Sequence, residues 1–200
     1  MGSTVLYMSM TLDGFIAGPD EGPDNGLGDG GERLHEWVFP DAEGGDFEAA
    51  VARLRGVNRQ VYDEFMSTGA VLCGRGTFEP AQGWGGDHHD GVPLYVLSRH
   101  PAPSWAHWPT VHYVSDLADA VRDAKAAAGD KDVLVHGAAI AQRALLAGLL
   151  DEIQVHLVPV LFGEGRPLFE HLGAGQRELE RTRVLEGEGG VTHLRYRVHR

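Results

Sequence analysis

Apolar residues in this chain come in short runs of strand length. Val5 to Met10, Ala70 to Cys73, Val92 to Leu97, Val111 to Val114, Val133 to Val135 and Ile153 to Leu161 are the clearest. Between several of them the spacing changes to that of helices. Leu117, Val121, Ala124 and Ala128 share one face of a helix expected over Asp116 to Ala128, capped by Ser115 and stopped by Gly129. Ile140, Ala144, Leu145 and Leu149 form a second stripe, loosened at its end by Gly148. Two weaker stripes, Phe47-Val51-Leu54 and Val61-Phe65-Met66, are separated by Gly56, and a single helical turn is expected near Glu170 to Leu172. Leu179 to Glu186 and Val191 to His199 alternate and meet across Gly187 to Gly190, the pattern of an antiparallel hairpin. Strands alternating with helices and closing on antiparallel strands describe one α/β domain over residues 1–200.

One segment breaks the pattern. Asp20 to Gly45 is rich in Gly and Pro, and Leu34, Trp37, Val38 and Phe39 are its only strong apolar cluster. Ordering a loop costs on the order of 1 kcal/mol per residue, and burial of these groups is the available compensation. An ordered, lid-like loop over residues 20–45 is therefore expected, with Trp37 in one wall of a substrate pocket.

Composition narrows the class. At 42% hydrophobic residues in 200, the chain can bury a sizeable single core. Its one cysteine, Cys73, excludes an internal disulfide framework. With no apolar run of about 18 residues and no basic-then-apolar start, neither a membrane span nor a signal peptide is expected, and a cytoplasmic location follows. A formal charge of −12 argues against nucleic acid, which needs a basic face, but leaves room for a phosphorylated small molecule held by a few local arginines. Eleven histidines invite a metal reading, yet His35, His107, His112, His156 and His171 lack helical i, i+4 pairing and His88-His89 sits in a Gly-rich loop, so no metal is expected.

The chemistry gathers where strands end. Asp13, in Leu12-Asp13-Gly14, places a carboxylate at the carboxyl end of the first strand, either as a ligand-facing group or as a turn residue. Gly74-Arg75-Gly76-Thr77 follows the second run, with Thr77 as a plausible helix cap beside a guanidinium. Ser98-Arg99 ends the third, and Arg can take a terminal phosphate bidentately. Gly137-Ala138-Ala139 turns the Val133 strand into a helix beginning near Ile140, and small residues at a helix N-terminus leave unpaired N–H groups for an anion, or simply allow close packing.

Four stretches, SMTLDGFIA, GAVLCGRGTFE, PLYVLSR and VLVHGAAIAQRALLAGLLDEIQVHLVPVLFGEGRPLF, occur in an order and spacing that resemble the dihydrofolate reductase-like superfamily. Within it the chain is similar to the reductase domain of the riboflavin-biosynthesis deaminase-reductase. The resemblance implies a mixed, mostly parallel central sheet of eight or nine strands, helices on both faces, a C-terminal antiparallel hairpin, NADPH as cofactor and a homodimer. It assigns Gly74, Arg75, Thr77, Ser98 and Arg99 to cofactor phosphates, Gly137, Ala138, Ala139 and Ile140 to the pyrophosphate turn, and Asp13 to the substrate side as the catalytic candidate. Two residues depart from the family pattern: Ala138 stands for a second glycine and His136 for an acidic residue. The acid that serves folate reduction has no clear counterpart, and Glu36 beside Trp37 is the nearest substrate-side candidate. The implied activity is an NADPH-dependent reductase for a small heterocyclic, imine or carbonyl substrate. The alternatives are an NADP-binding sensor or structural dimer without turnover, dihydrofolate reductase activity, and a histidine-based metal hydrolase.

Overall fold

The apolar run that starts the chain becomes the middle of the sheet. In the computed structural model, which describes residues 2–22, 24–40 and 46–199, the strands are β1 (Thr4–Thr11), β2 (Phe15–Ala17), β3 (Ala70–Gly74), β4 (Leu94–Leu97), β5 (Val111–Val114), β6 (Val133–His136), β7 (Glu152–Val158), β8 (Arg166–Pro167), β9 (Leu179–Glu186) and β10 (Thr192–Val198). The α-helices are α1 (Phe47–Arg53), α2 (Gly56–Met66), α3 (Arg75–Phe78), α4 (Leu117–Ala128) and α5 (Ala138–Leu146). Eight strands form one sheet in the order β5-β4-β3-β6-β1-β7-β10-β9, parallel through β7 and antiparallel at β10 and β9. Buried on both faces, β1 and β6 can be continuously apolar, as parallel strands covered by helices are.

Period-two alternation sends Leu6, Leu72, Val133 and Val135 to one face, where they pack against Val121 and Ala124 of α4 and Ile140 and Ala144 of α5. Val5, Tyr7, Val71, Cys73 and Leu134 face the other way, toward Phe78 of α3 and an aromatic shell that includes Phe65 and Trp84. Each large aliphatic side chain so buried contributes roughly 1.5–3 kcal/mol.

Several boundaries differ from the sequence reading, each for a local reason. Strand β4 begins after Pro93 and β7 stops before Pro159, because proline has no N–H to give a ladder. Asp116, not Ser115, caps α4, its carboxylate accepting from Asp119 N at 3.0 Å; an ionised cap gains from the helix dipole as well as the hydrogen bond. Helix α3 starts at Arg75, so Thr77 lies inside it and caps nothing. Residues 170–172 form no helix, and His171 holds a positive φ of 54°. Ile153, Val155 and Val158 are buried, whereas Leu161, beyond the end of β7, is exposed.

The long loop is anchored before its start and at its middle. Strand β2 pairs antiparallel with β8, and a 3₁₀ turn at Gly31–His35 carries Leu34, which is fully buried against Val158 and Val191. Residues 23 and 41–45 of the expected lid, and the side chain of Phe47, lie outside the described residues.

Candidate active site

The carboxyl ends of β1, β3 and β6 open into a cleft of about 1520 Å³. Open α/β sheets place ligands at this edge, and the volume exceeds the roughly 300–1,000 Å³ of a single small-molecule pocket, enough for two ligands side by side. One wall comes from His136, Gly137, Thr77 and Trp84, and the facing wall from His35, Glu36, Trp37 and Phe39 of the loop.

Gly137 shapes the first wall. Its φ of 104° is a conformation that L side chains rarely adopt, and an added Cβ would sit 2.1 Å from Thr77 Oγ1. The same residue is the N-cap of α5, with no side chain capping the first amides of the helix, while its own amide donates to Met8 Sδ at 3.3 Å. Ala138 points into the core with 5% exposure, so the alanine that replaces a family glycine takes nothing from the cleft. Ile140 is likewise a core side chain at 1% exposure, while Ala139 is exposed. The notch, the uncapped amides and the volume together fit a dinucleotide's pyrophosphate lying on α5.

The other expected cofactor residues stand at the ends of adjacent parallel strands but do not line the cleft. Gly74 is the N-cap of α3, and both Arg75 Nε and Nη2 reach Glu79 Oε1 at 2.7 Å. Ser98 Oγ donates to His100 O at 2.8 Å and accepts from His100 N at 3.0 Å, which closes a local turn. Arg99 is exposed and has no ion pair among the described residues.

Asp13 does not line the cleft either. Its carboxylate accepts from Thr11 Oγ1, from Phe162 N at 3.1 Å and from Gly163 N at 2.7 Å, clamping the β1 turn to the loop after β7. The Thr11 hydroxyl and then these amides hold the carboxyl below its usual range. A carboxylate so held is ionised at neutral pH, and in this structure it serves the turn.

The loop wall rests on a buried imidazole network. Trp37 Nε1 donates to Ser9 Oγ at 2.8 Å, and its ring lies 4.5 Å from that of His156 and 4.8 Å from that of His193. Asn58 Nδ2 donates to the carbonyls of Trp37 and Glu188, each at 3.1 Å, so its Oδ1 accepts from His193 Nε2, also at 3.1 Å. His193 Nδ1 is then bare and accepts from His156 Nδ1 at 2.9 Å. Burial lowers both histidines, His193 to about 4, and both are neutral at pH 7. Glu36 is exposed at the rim and paired with Arg33 at 3.0 Å.

Sequence reasoning gave His35 no role in a ligand site, reached Trp84 only through the Gly83 to Gly91 loop as a second candidate for the substrate pocket, and treated His136 as a departure from the family pattern. Gln82 to Gly86 run left-handed, with φ of 48°, 59°, 49°, 64° and 86°. Left-handed backbone costs roughly 1–2 kcal/mol for each non-glycine residue, here Gln82 and Trp84. A Cβ at Gly83 or Gly86 would strike the Phe78 or Trp108 ring, at 2.6 and 2.1 Å. The glycine-rich spacing was the available signal, and it presents Trp84 to the cleft, 5.9 Å from the His136 ring. Among the described residues no group of three or more His, Cys, Asp or Glu is arranged to hold a metal ion, and no helix is long and apolar enough to cross a membrane.

A family model described as the RibD C-terminal domain matches residues 3–192. No curated protein matches the sequence. Among solved structures, a protein described as a riboflavin biosynthesis protein from Shewanella sp. PV-4 gives a TM-score of 0.73 at 20% identity over 99% of each chain. A pyrimidine reductase-like protein from Corynebacterium diphtheriae gives 0.64 at 12% identity, over 100% of this chain and 92% of that one. For RibD of Acinetobacter baumannii the values are 0.61 and 16%, with this chain spanning 59% of that one. At these identities the likeness is one of fold, the dihydrofolate reductase-like α/β fold expected from the sequence.

Proposed function

Since the chain belongs to the family of the RibD C-terminal domain, a family of reductase domains, we propose that it is an NADPH-dependent reductase of a small heterocyclic, imine or carbonyl substrate bound in the cleft. The observation that carries this reading is the Gly137 notch, where backbone without a Cβ meets the uncapped start of α5 inside a cleft large enough for two ligands. NADPH, when bound, supplies the hydride. The amides of Ala138 and Ala139 hold its pyrophosphate, and Arg75 and Arg99, at the ends of neighbouring parallel strands, hold its remaining phosphate. Glu79 fixes the Arg75 guanidinium in place before any ligand arrives, which lowers the ordering cost of binding. Trp37 and Phe39 close the loop side and keep water from the reacting face. Exposed Leu12 and Leu161, at 63% and 66%, flank the Leu12 N to Val160 O hydrogen bond and offer the contact for a second copy in a homodimer.

Titration of NADPH and NADH tests the cofactor assignment. We expect NADPH to bind about 10- to 150-fold more tightly and Arg99→Ala to erase most of that difference, the worth of one charged hydrogen bond. Equal affinities in the native protein would overturn it. NADPH consumption over imines, dihydropterins and amino-pyrimidinones tests turnover; tight binding without consumption would replace the enzyme by a sensor. A monomeric mass by light scattering at micromolar concentration would remove the dimer.

A further inference from the structure

The Trp37 wall of the cleft lies on a pair of imidazoles whose hydrogen bonds run in one direction. His156, His193 and Asn58 are all buried. The turn between β9 and β10 presses on them, since a Cβ at Gly187 would sit 2.2 Å from Asn58 Oδ1 and 2.7 Å from His193 Nε2. Asn58 joins three segments. Its Nδ2 donates to Trp37 O in the loop and to Glu188 O in the turn, its backbone N donates to Glu188 Oε2 at 3.1 Å, and its Oδ1 is left to accept from His193 Nε2. His193 Nδ1 accepts the Nδ1 proton of His156, so the 2.9 Å between those two atoms holds one proton, and the indole of Trp37 packs against both rings. Trp37 and Asn58 line the cleft and the two imidazoles do not, which makes the loop the layer between the pair and the water of the cleft.

An added proton is steered to His193. His156 faces Arg183 of β9 and the imidazoles of His193, His35 and His136, all of which oppose a positive charge, and the Tyr7 ring of β1 stacks 6.3 Å away. His193 also faces Arg183, but Glu188 of the turn and Glu64 of α2 favour a charge there. Its one free nitrogen is Nδ1, and a proton on it sets two N–H groups against each other. His156 could accept that proton only by moving its own to Nε2, which has no hydrogen-bond partner among the described residues. The closed wall therefore excludes a proton that a hydrated His193 takes, and acid favours whichever state lifts the loop.

We propose that Asn58 and the His156–His193 pair form an acid-released latch: with His193 neutral they hold the Trp37 wall against the β9–β10 turn, and a proton on His193 frees the wall, widening the cleft before the rest of the fold opens. The proposal goes beyond the reductase reading and stands whatever the cleft binds.

Residue-resolved amide exchange between pH 7 and 5, expressed as protection relative to the intrinsic rate at each pH, tests this. The amides of Val38 and Phe39, both donating to His35 O, report the wall, and that of Val133, donating to Ser3 O, reports the sheet. With His193 at about 4 when latched and near its ordinary 6.5 when released, wall protection should fall about twentyfold from pH 7 to pH 5. At every pH it should stay at least about tenfold below that of Val133, the mark of a separate, earlier opening. In His193→Gln the fall should shrink to within about threefold. Asn58→Asp keeps an acceptor for His193 but offers no side-chain N–H to Trp37 O or Glu188 O, and should lose most of the wall's protection already at pH 7. Flat wall protection in the native protein, a fall that survives undiminished in His193→Gln, or wall and Val133 amides exchanging at a common rate would overturn the proposal. Should the variants not fold, the native protein decides: a His193 ring whose nitrogen shifts record a gained proton while Val38 and Phe39 keep their protection overturns it as well.

Discussion

The two faces of the central sheet are built from different chemistry. The face under α4 and α5 is aliphatic, with Leu6, Leu72, Val133, Val135 and Val155 meeting Val121, Ile140 and Ala144, and it carries none of the buried histidines. The opposite face holds Tyr7, Cys73, His136, His156 and His193 under Phe65, Phe78 and Trp84, and it opens into the cleft. Desolvation raises the Tyr7 phenol to about 12, pushes the Cys73 thiol up and pulls the imidazoles down, so this face keeps its groups neutral. One face supplies pH-indifferent stability. The other accepts desolvated polar groups at a cost in stability, the usual signature of a face shaped for a ligand.

The largest expected effect breaks the aliphatic face alone. Ile140→Ala should lower stability by about 2–5 kcal/mol through lost burial and a cavity, with NADPH affinity per folded molecule unchanged. A matching loss of cofactor affinity, measured on the folded fraction, would show that the faces are not separable.

Acid should break the other face. The unfolded chain takes up protons on its histidines below pH about 6.5, whereas the folded chain refuses them until about 4 at His136 and His193. Stability is then complete above the ordinary histidine range and falls as pH drops toward 4, by about 3 kcal/mol between pH 7 and 5 for the two together. Thermal midpoints recorded from pH 4 to 8 check this, and His193→Gln should flatten the slope. A flat profile in the native protein would mean that these imidazoles are solvated.

Gly137→Ala sharpens the comparison at the cleft, because the new methyl meets Thr77 Oγ1 and the backbone stays at φ 104°. NADPH affinity should fall about 100-fold, near 2.7 kcal/mol, against a smaller change in thermal midpoint. Undiminished binding by a folded variant would put the pyrophosphate elsewhere. Trp37→Phe removes the hydrogen bond to Ser9 and should cost about 1 kcal/mol of stability, while raising KM for substrate more than Kd for NADPH; the reverse ranking would make Trp37 a purely structural anchor. Asp13→Asn should do least. It loosens the clamp on Phe162 and Gly163 and should leave kcat within about threefold, and a collapse of turnover with intact binding would restore Asp13 as a catalytic group.

The order of strands and helices was legible in the sequence because it depends on spacing and on Gly and Pro, which act locally: the Val133 run, the stripe through Val121 and Ala124, and the closing hairpin need no distant partner to be recognised. The turn at Gly137 was legible as well, since a small residue between strand and helix marks it, though spacing alone left an anion site and close packing both open. Boundaries were less legible, as with Ser115 and Asp116, where two good caps compete and an ionised group prevails. What only the tertiary structure decided is which groups meet. Asp13 finds Phe162 and Gly163, Arg75 finds Glu79, and His35 from the loop comes to the same cleft as His136 from β6, pairings between residues far apart in sequence or, for Arg75 and Glu79, between groups whose other uses the sequence leaves open. The protonation of those imidazoles follows from burial, a property of the packed protein and not of the residue.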